Sequence, residues 1–124
     1  MFSHLDAEYA CVLYDHKSGK LIAARDQIGI RPLFYGYSKS GKIAFASEAK
    51  NLIGWVDEVR AFPPGSYYYD GKFVKYEDIA AVHGFVHKDI DVITKNIQDK
   101  LTEGVKNRLD ADATMGFLLS GGLA

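Results

Sequence analysis

Short alternations of apolar and polar residues run through the first 76 positions and predict a set of β-strands. Residues 8–15 carry apolar side chains on both sides of an extended chain, which indicates a strand covered on both faces. A turn at 16–19 and a returning strand at 20–25 complete a hairpin. Further strands are predicted at 32–37, 42–47, 66–69 and 72–76, and Ser47 is expected to cap a short helix at 48–53. These hairpins favour an antiparallel sheet.

A different period begins near residue 91, where apolar residues recur at every fourth position as far as 109 and predict one amphipathic helix. Asp89 or Asp91 is expected to cap its first turn. The apolar run 115–119 then predicts a buried strand, which opens into the tripeptide Ser120-Gly121-Gly122. Residues 78–88 show no firm period and are interpreted as a linker between the two parts.

Composition narrows the class of protein without assigning a function. The formal net charge is −1, which gives no electrostatic reason to expect a nucleic-acid or membrane-surface partner. The apolar runs are too short to span a bilayer, and the start of the chain does not resemble a secretory signal. The single cysteine excludes an internal disulfide. A cytoplasmic location is therefore the expectation.

The glycine loop at the end of the chain is the first candidate for chemistry. A serine and two glycines after a buried strand expose backbone N–H groups, which an anion such as phosphate can approach closely. The same residues also serve as an ordinary loop that ends a strand, and the tripeptide does not decide between these two interpretations. The residues around it carry more information.

Three strings, in this order along the chain, resemble segments of the asparagine synthetases. The first runs from Arg25 to Tyr35 and is similar to the R-D-x-x-G-x-x-P-L-[FY] segment of class II glutaminase domains. The second combines A-S-E-A-K at 46–50 with the F-P-P-G-S-Y turn at 62–67. The third, R-L-D-A-D-A-T-M-G-F-L-L-S-G-G-L at 108–123, resembles the entry to the PP-loop of ATP pyrophosphatases; Ala124 stands where that loop has aspartate.

The resemblance implies an α+β fold in two parts. Residues 1–77 would form the antiparallel sheet part of an α/β/β/α Ntn-hydrolase sandwich, as the C-terminal half of a glutaminase domain. Residues 78–90 would be the linker. Residues 91–124 would supply the first helix and strand of an α/β ATP-pyrophosphatase domain.

The resemblance also implies a reaction for the complete enzyme, with glutamine, aspartate and ATP as substrates and Mg²⁺ as cofactor. Asparagine, glutamate, AMP and pyrophosphate would be the products, and the complete enzyme would be a homodimer. The backbone of Leu118 would lie at the adenine, and Ser120, Gly121 and Gly122 would meet the phosphates. The present chain is expected to be inactive by itself.

No residue is predicted to be catalytic, and none to bind a metal. The nucleophile of the family is an N-terminal cysteine whose α-amino group acts as base, whereas Cys11 lies within a predicted strand and is interpreted as a small core residue. Arg25 and Asp26 are expected to contact each other and pin a hairpin to its neighbour. Contact is likewise expected between Glu48 and Lys50, and the four histidines lack metal-site spacing.

Two other functions remain open at this point. One is another PP-loop amidotransferase, similar to the β-lactam synthetases, because the pocket for the acyl acceptor lies outside the three strings. A non-enzymatic scaffold module would keep the fold without the chemistry. The R-D-x-x-G-I-R-P-L string is also similar to that of phosphoribosyl-pyrophosphate amidotransferases, but that family lacks the serine-glycine-glycine loop.

Overall fold

The computed structural model describes residues 2–84, 89–118 and 121, and the chain divides into two compact units, Met1–Ala81 and Val82–Ala124. The boundary between the units falls within the predicted linker, residues 78–90, of which residues 78–84 form neither helix nor strand and residues 85–88 lie outside the described ranges. No helix in the described ranges is long and apolar enough to cross a membrane.

Two antiparallel sheets make up the first unit. The four-stranded sheet has the order β1-β2-β6-β7, and the three-stranded sheet has the order β4-β3-β5. The strands are β1 Ala10–Asp15, β2 Lys20–Arg25, β3 Phe34–Tyr37, β4 Ile43–Ala46, β5 Arg60–Ala61, β6 Ser66–Tyr69 and β7 Lys72–Lys75. The predicted hairpins β1-β2, β3-β4 and β6-β7 are therefore confirmed, whereas the two-residue strand β5 has no sequence signal of its own.

The turn between β6 and β7 shows why the short hairpins could be predicted from the sequence. Asp70 and Gly71 both have positive φ, 50° and 81°, which is the backbone that a two-residue turn between twisted strands requires. Aspartate and glycine are among the residues that adopt it at least cost. The turn sets the register, in which Tyr69 pairs with Lys72 and Tyr68 with Phe73.

The core of the first unit is aromatic and lies between the two sheets. Phe62 is fully buried, with its ring centroid 5.2 Å from that of Phe73 and 6.0 Å from that of Phe45. Tyr35 belongs to the other sheet, and its ring centroid lies 4.7 Å from that of Phe73. Tilted and edge-on ring pairs of this kind add favourable electrostatics to the burial of apolar area. The rest of the buried cluster consists of Ala23, Leu33 and Tyr68.

Strand β1 differs from its prediction, because it lies at the edge of its sheet and most of its side chains are exposed. Val12, Leu13 and Tyr14 are 43%, 48% and 55% accessible, so the described residues leave both faces of the strand largely open. The apolar pattern of β1 indicates only that its side chains are suited to covered positions. Nothing in the pattern supplies the element that would cover it.

Helix α1, Ile90–Lys106, forms at the predicted place in the second unit and begins at Asp89, whose side chain accepts a hydrogen bond from the Asp91 backbone N–H at 3.0 Å. Of the two predicted capping residues, Asp89 is therefore the correct one. The apolar stripe is present, but the described residues of the helix include none that is buried; Ile97, Leu101 and Val105 are each more than half exposed.

Two further predictions of secondary structure are wrong. Residues 115–118 form no strand and are exposed, because no other strand pairs with them in the described part of the chain; residue 119 lies outside it. The short helix after β4 is a 3-10 helix, Ala49–Leu52, with Glu48 rather than Ser47 at its N-cap position and no side-chain capping bond. The expected contact between Glu48 and Lys50 is confirmed as an exposed ion pair.

Candidate functional site

The four residues predicted to bind a nucleotide do not form a site in the described part of the chain. Ser120 and Gly122 lie outside it. Leu118 is fully exposed, and Gly121 has a positive φ of 70° with no atom within 4 Å of the position a Cβ would take. A positive φ is compatible with an anion-binding turn, but Leu118 and Gly121 alone provide no cradle for phosphate. Their predicted role stays a prediction.

The Arg25–Arg31 loop (residues 25–31) is the best-defined polar arrangement of the first unit, and Asp26 organises it. Asp26 is 2% exposed, and its carboxylate accepts hydrogen bonds from the backbone N–H groups of Ile28, Ile30 and Arg31, at 3.3, 2.9 and 3.0 Å. A short carboxylate side chain can bond its own backbone two to five residues ahead, which folds the chain back on itself. Asp26 therefore closes the loop from inside.

Hydrogen bonding also sets the ionisation of this carboxyl group. Burial by itself would raise the pKa of Asp26, but the backbone N–H groups of Arg31, Ile30, Gly29 and Ile28 outweigh it, so the pKa of the Asp26 side chain lies below its usual value. The group is an anion at neutral pH, as an acceptor of several N–H groups must be.

Arg25 fixes the same loop from the other side. Its guanidinium donates to three backbone carbonyl oxygens: Arg31 at 2.8 Å, Phe62 at 2.8 Å and Gly29 at 2.7 Å. The planar fork of arginine suits several fixed acceptors at once. The predicted contact between Arg25 and Asp26 is wrong: each side chain bonds to backbone groups, and each holds a different part of the loop.

The Pro-Pro-Gly turn at 63–65 forms a second layer against the loop. The Gly65 N–H donates to the Asp26 carbonyl at 2.9 Å, while the Gly65 carbonyl accepts from the N–H groups of Tyr76 and Glu77 at 2.8 and 3.1 Å. Gly65 has a φ of 60°, and an added Cβ would lie 2.3 Å from the Glu77 carbonyl oxygen. Glycine is required here both for its backbone angle and for the space it leaves.

A pair of tyrosines completes the arrangement, and neither belongs to the three strings that resemble the asparagine synthetases. The Tyr76 hydroxyl donates to the Arg25 carbonyl at 2.8 Å and lies 2.6 Å from the Tyr9 hydroxyl. Since the single hydroxyl proton of Tyr76 is used on the carbonyl, Tyr9 donates to Tyr76. Burial is the largest cause that raises the pKa of both phenols above the ordinary value. The high aromatic content before residue 77 was the only signal that could have suggested them.

Comparison with known proteins shows which proteins this chain is similar to. The glutamine amidotransferase domain family matches residues 1–54, which include β1, β2 and the whole Arg25–Arg31 loop. A probable asparagine synthetase (glutamine-hydrolysing) of Acanthamoeba polyphaga mimivirus is 39% identical over 99% of this chain. Asparagine synthetase B of Escherichia coli is 34% identical over 96%, and asparagine synthetase 1 of Saccharomyces cerevisiae 38% identical over 97%. The chain is a homologue of the glutamine-hydrolysing asparagine synthetases.

The similarity to these asparagine synthetases extends over nearly all of this chain but over only part of theirs. The chain spans about a quarter of the length of the relatives it matches: 26% of the viral protein and 22% of the bacterial and yeast proteins. The similarity therefore concerns one stretch of those proteins. The described residues of this chain form small antiparallel sheets, one α-helix and two 3-10 helices, and the sheets and the loop are compatible with a glutamine amidotransferase domain.

The position of Cys11 gives no support for a role as nucleophile. It lies in β1, partly buried, and burial raises the pKa of its thiol, so less of it is the reactive thiolate at neutral pH. Its exposure is intermediate, which makes it a partly covered strand residue rather than the core residue expected. In the described ranges no group of three or more histidine, cysteine or acidic residues could hold a metal ion.

Proposed function

We propose that this chain supplies part of the glutaminase region, together with the segment that follows it, of a glutamine-hydrolysing asparagine synthetase. The observation that carries the proposal is the similarity to asparagine synthetases over 96–99% of the chain. The described loop supports it, because the string from Arg25 to Arg31 that resembles the family forms a closed loop held by several hydrogen bonds.

The complete protein would convert aspartate, glutamine and ATP into asparagine, glutamate, AMP and pyrophosphate. ATP and Mg²⁺ would bind in the second domain, where Leu118, Ser120, Gly121 and Gly122 are the residues of this chain proposed to approach the nucleotide. Residues 1–77, 78–90 and 91–124 would be, in that order, the end of the glutaminase domain, the linker and the start of the synthetase domain. The complete enzyme would be a cytoplasmic homodimer.

Within that enzyme the Arg25–Arg31 loop acts as scaffold. Arg25 and Asp26 direct their polar atoms at backbone groups of the loop and of the Pro-Pro-Gly turn, so these atoms have few bonds left to offer a substrate. The same is true of Gly65, whose N–H and carbonyl are both used inside the unit. A rigid loop of this kind can hold a neighbouring surface in place without touching the reacting atoms.

The isolated chain is proposed to be inactive toward glutamine. Its thiol lies within strand β1, and burial raises the pKa of that thiol, so little of it is the thiolate that attacks an amide. Incubating the purified chain with glutamine should release no glutamate above the rate in buffer, as measured by a glutamate dehydrogenase assay. Glutamate release that disappears in Cys11→Ser would overturn this part of the proposal.

A chimera tests the proposed function directly. Residues 2–123 would replace the matching segment of the Escherichia coli relative, and asparagine formation would be measured with glutamine and, separately, with ammonium chloride. The proposal predicts asparagine from both nitrogen sources. A chimera that folds and uses ammonium but not glutamine would contradict the glutaminase assignment, and the Asp26→Ala chimera provides the matched control for an unfolded loop.

The two alternatives have no comparable support. The relatives compared here all bear the name asparagine synthetase, and no observation in the described residues favours a β-lactam synthetase-like enzyme or a scaffold module.

A further inference from the structure

Tyr76 connects two parts of the first unit that are distant in sequence. It follows β7 directly, at the point where the chain leaves the sheets for the irregular segment 76–84. Its backbone N–H is bonded to the Gly65 carbonyl, and its hydroxyl to the Arg25 carbonyl, 51 residues away in the chain. The segment just before the predicted linker is thereby tied to the first residue of the Arg25–Arg31 loop.

The surroundings of Tyr76 hold its hydroxyl in one position. The Phe2 ring lies 5.9 Å from the Tyr76 ring and 6.2 Å from the Tyr9 ring, and it is itself buried. Tyr9 donates to the remaining acceptor site of the Tyr76 oxygen. Aromatic packing on the ring side and two hydrogen bonds on the hydroxyl side leave the side chain little freedom.

The bonds of the loop itself do not replace this connection. The side chains of Asp26 and Arg25 are hydrogen-bonded to the loop itself and to the Phe62 carbonyl, not to residues 76–84. That segment is joined to the loop region by the Tyr76 hydroxyl and, through Gly65, by two backbone N–H groups. Removing the hydroxyl would therefore loosen the link while the loop stays closed.

We propose that Tyr76 is a positioning residue for the glutamine-dependent reaction: its hydroxyl keeps the Arg25–Arg31 loop in register with the segment that leads out of the glutaminase region. The inference rests on the proposed function, because it gives the loop a part in glutamine use. Tyr76 acts through the Arg25 backbone and makes no contact with a reacting atom. Tyr9 supports it by fixing the direction of its hydroxyl proton.

The test uses Tyr76→Phe in the chimera described above, with Tyr14→Phe as the matched control. Both substitutions remove one hydroxyl and keep the ring, but Tyr14 is exposed at the sheet edge. Loss of one buried hydrogen bond should lower the glutamine-dependent rate about fivefold. The ammonium-dependent rate should stay at the parent value, and Tyr14→Phe should match the parent with both nitrogen sources.

Amide hydrogen exchange on the chain by itself separates a local effect from general destabilisation. In Tyr76→Phe the amides of Tyr76 and Glu77 should exchange faster relative to those of Ala23 and Ala24 in β2. Equal acceleration at all four amides, or an equal fall in both nitrogen-source rates, would overturn the positioning role. A parent chimera without glutamine use would refute the proposed function instead, and the exchange result would still decide whether the link exists.

Discussion

The Arg25–Arg31 loop and the segment 115–118 both belong to strings that resemble the asparagine synthetases, yet their backbones are held in different ways. In the loop, Asp26 and Arg25 satisfy backbone donors and acceptors within a few residues of themselves. In the segment 115–118, the described residues belong to no strand, and Phe117 and Leu118 are exposed. The loop is closed by its own residues, whereas residues 115–118 have no strand pairing in the described part of the chain.

The difference shows whether the fold of a motif depends on its own residues or on residues elsewhere in the protein. A loop closed by side-chain bonds to nearby backbone carries its fold in its own residues. A buried strand that ends in a glycine loop depends on neighbouring strands for every ladder bond. We therefore expect substitutions in the first motif to change the stability of the first unit, and substitutions in the second to leave it unaltered.

The largest difference should come from a matched pair of glycine substitutions. Gly65→Ala would force a Cβ to within 2.3 Å of the Glu77 carbonyl oxygen at a positive φ, and should lower the free energy of unfolding by about 4 kcal/mol. Gly121→Ala, also at positive φ but with no atom within 4 Å, should change the stability of the first unit by less than about 0.5 kcal/mol.

Urea unfolding followed by the near-ultraviolet signal of tyrosine measures both variants, because all eight tyrosines lie between Tyr9 and Tyr76. The signal therefore reports the first unit alone. Equal destabilisation by the two substitutions would remove the contrast between the motifs.

Removal of the Asp26 carboxylate should have the next largest effect. Asp26→Ala leaves three backbone N–H groups of the loop without their acceptor, and should cost about 3 kcal/mol of unfolding free energy. Asp26→Asn keeps one acceptor oxygen and should cost about half as much. The same urea titration measures the loss of unfolding free energy in both variants. A loss below that of an exposed control such as Asp57→Ala would show that the carboxylate does not close the loop.

The pH dependence of stability follows from the same carboxylate and should be a smaller effect. Because the pKa of Asp26 is lower in the folded chain than in the unfolded one, its contribution is complete above the unfolded value, near ~3.9, and is lost as the pH falls through the folded value. The stability gap between the parent and Asp26→Asn should therefore narrow as the pH falls below about 4. A constant gap from pH 6 to pH 2 would contradict the assignment.

The smallest effect is expected in the second motif. Phe117 is 70% exposed, so Phe117→Ser should change the urea midpoint of the tyrosine signal by less than the equivalent of about 0.5 kcal/mol. Phe62→Ser, at a fully buried ring, is the matched comparison and should prevent folding of the first unit. A midpoint shift of 1 kcal/mol or more in Phe117→Ser would show that the segment is packed.

Local signals in the sequence account for what could be predicted. The Asp70-Gly71 turn and the apolar repeat of α1 act over a few residues, and both elements lie where the pattern indicates. The family string from Arg25 to Tyr35 located the important loop. The roles of its first two residues were misjudged, because opposite charges side by side in a sequence suggest an ion pair, whereas here the backbone supplies the partners.

Features that depend on distant residues were predicted wrongly or not at all. The covering of β1 and the pairing of the apolar run after residue 114 depend on elements that the pattern does not contain. The hydrogen bond from the Tyr76 hydroxyl to the Arg25 carbonyl joins residues 51 positions apart, and neither residue type nor spacing predicts it. Such contacts are set by tertiary packing, which a period along the chain does not encode.

Transfer of the glutamine amide nitrogen tests the central claim most directly. The chimera carrying residues 2–123 would be supplied with glutamine labelled with ¹⁵N in its side-chain amide, together with aspartate, ATP and Mg²⁺, and the asparagine formed would be analysed by mass spectrometry. We expect asparagine that carries the label in its side-chain amide. Asparagine that forms from added ammonium but never carries the glutamine label would contradict the assignment of this chain to a glutaminase region.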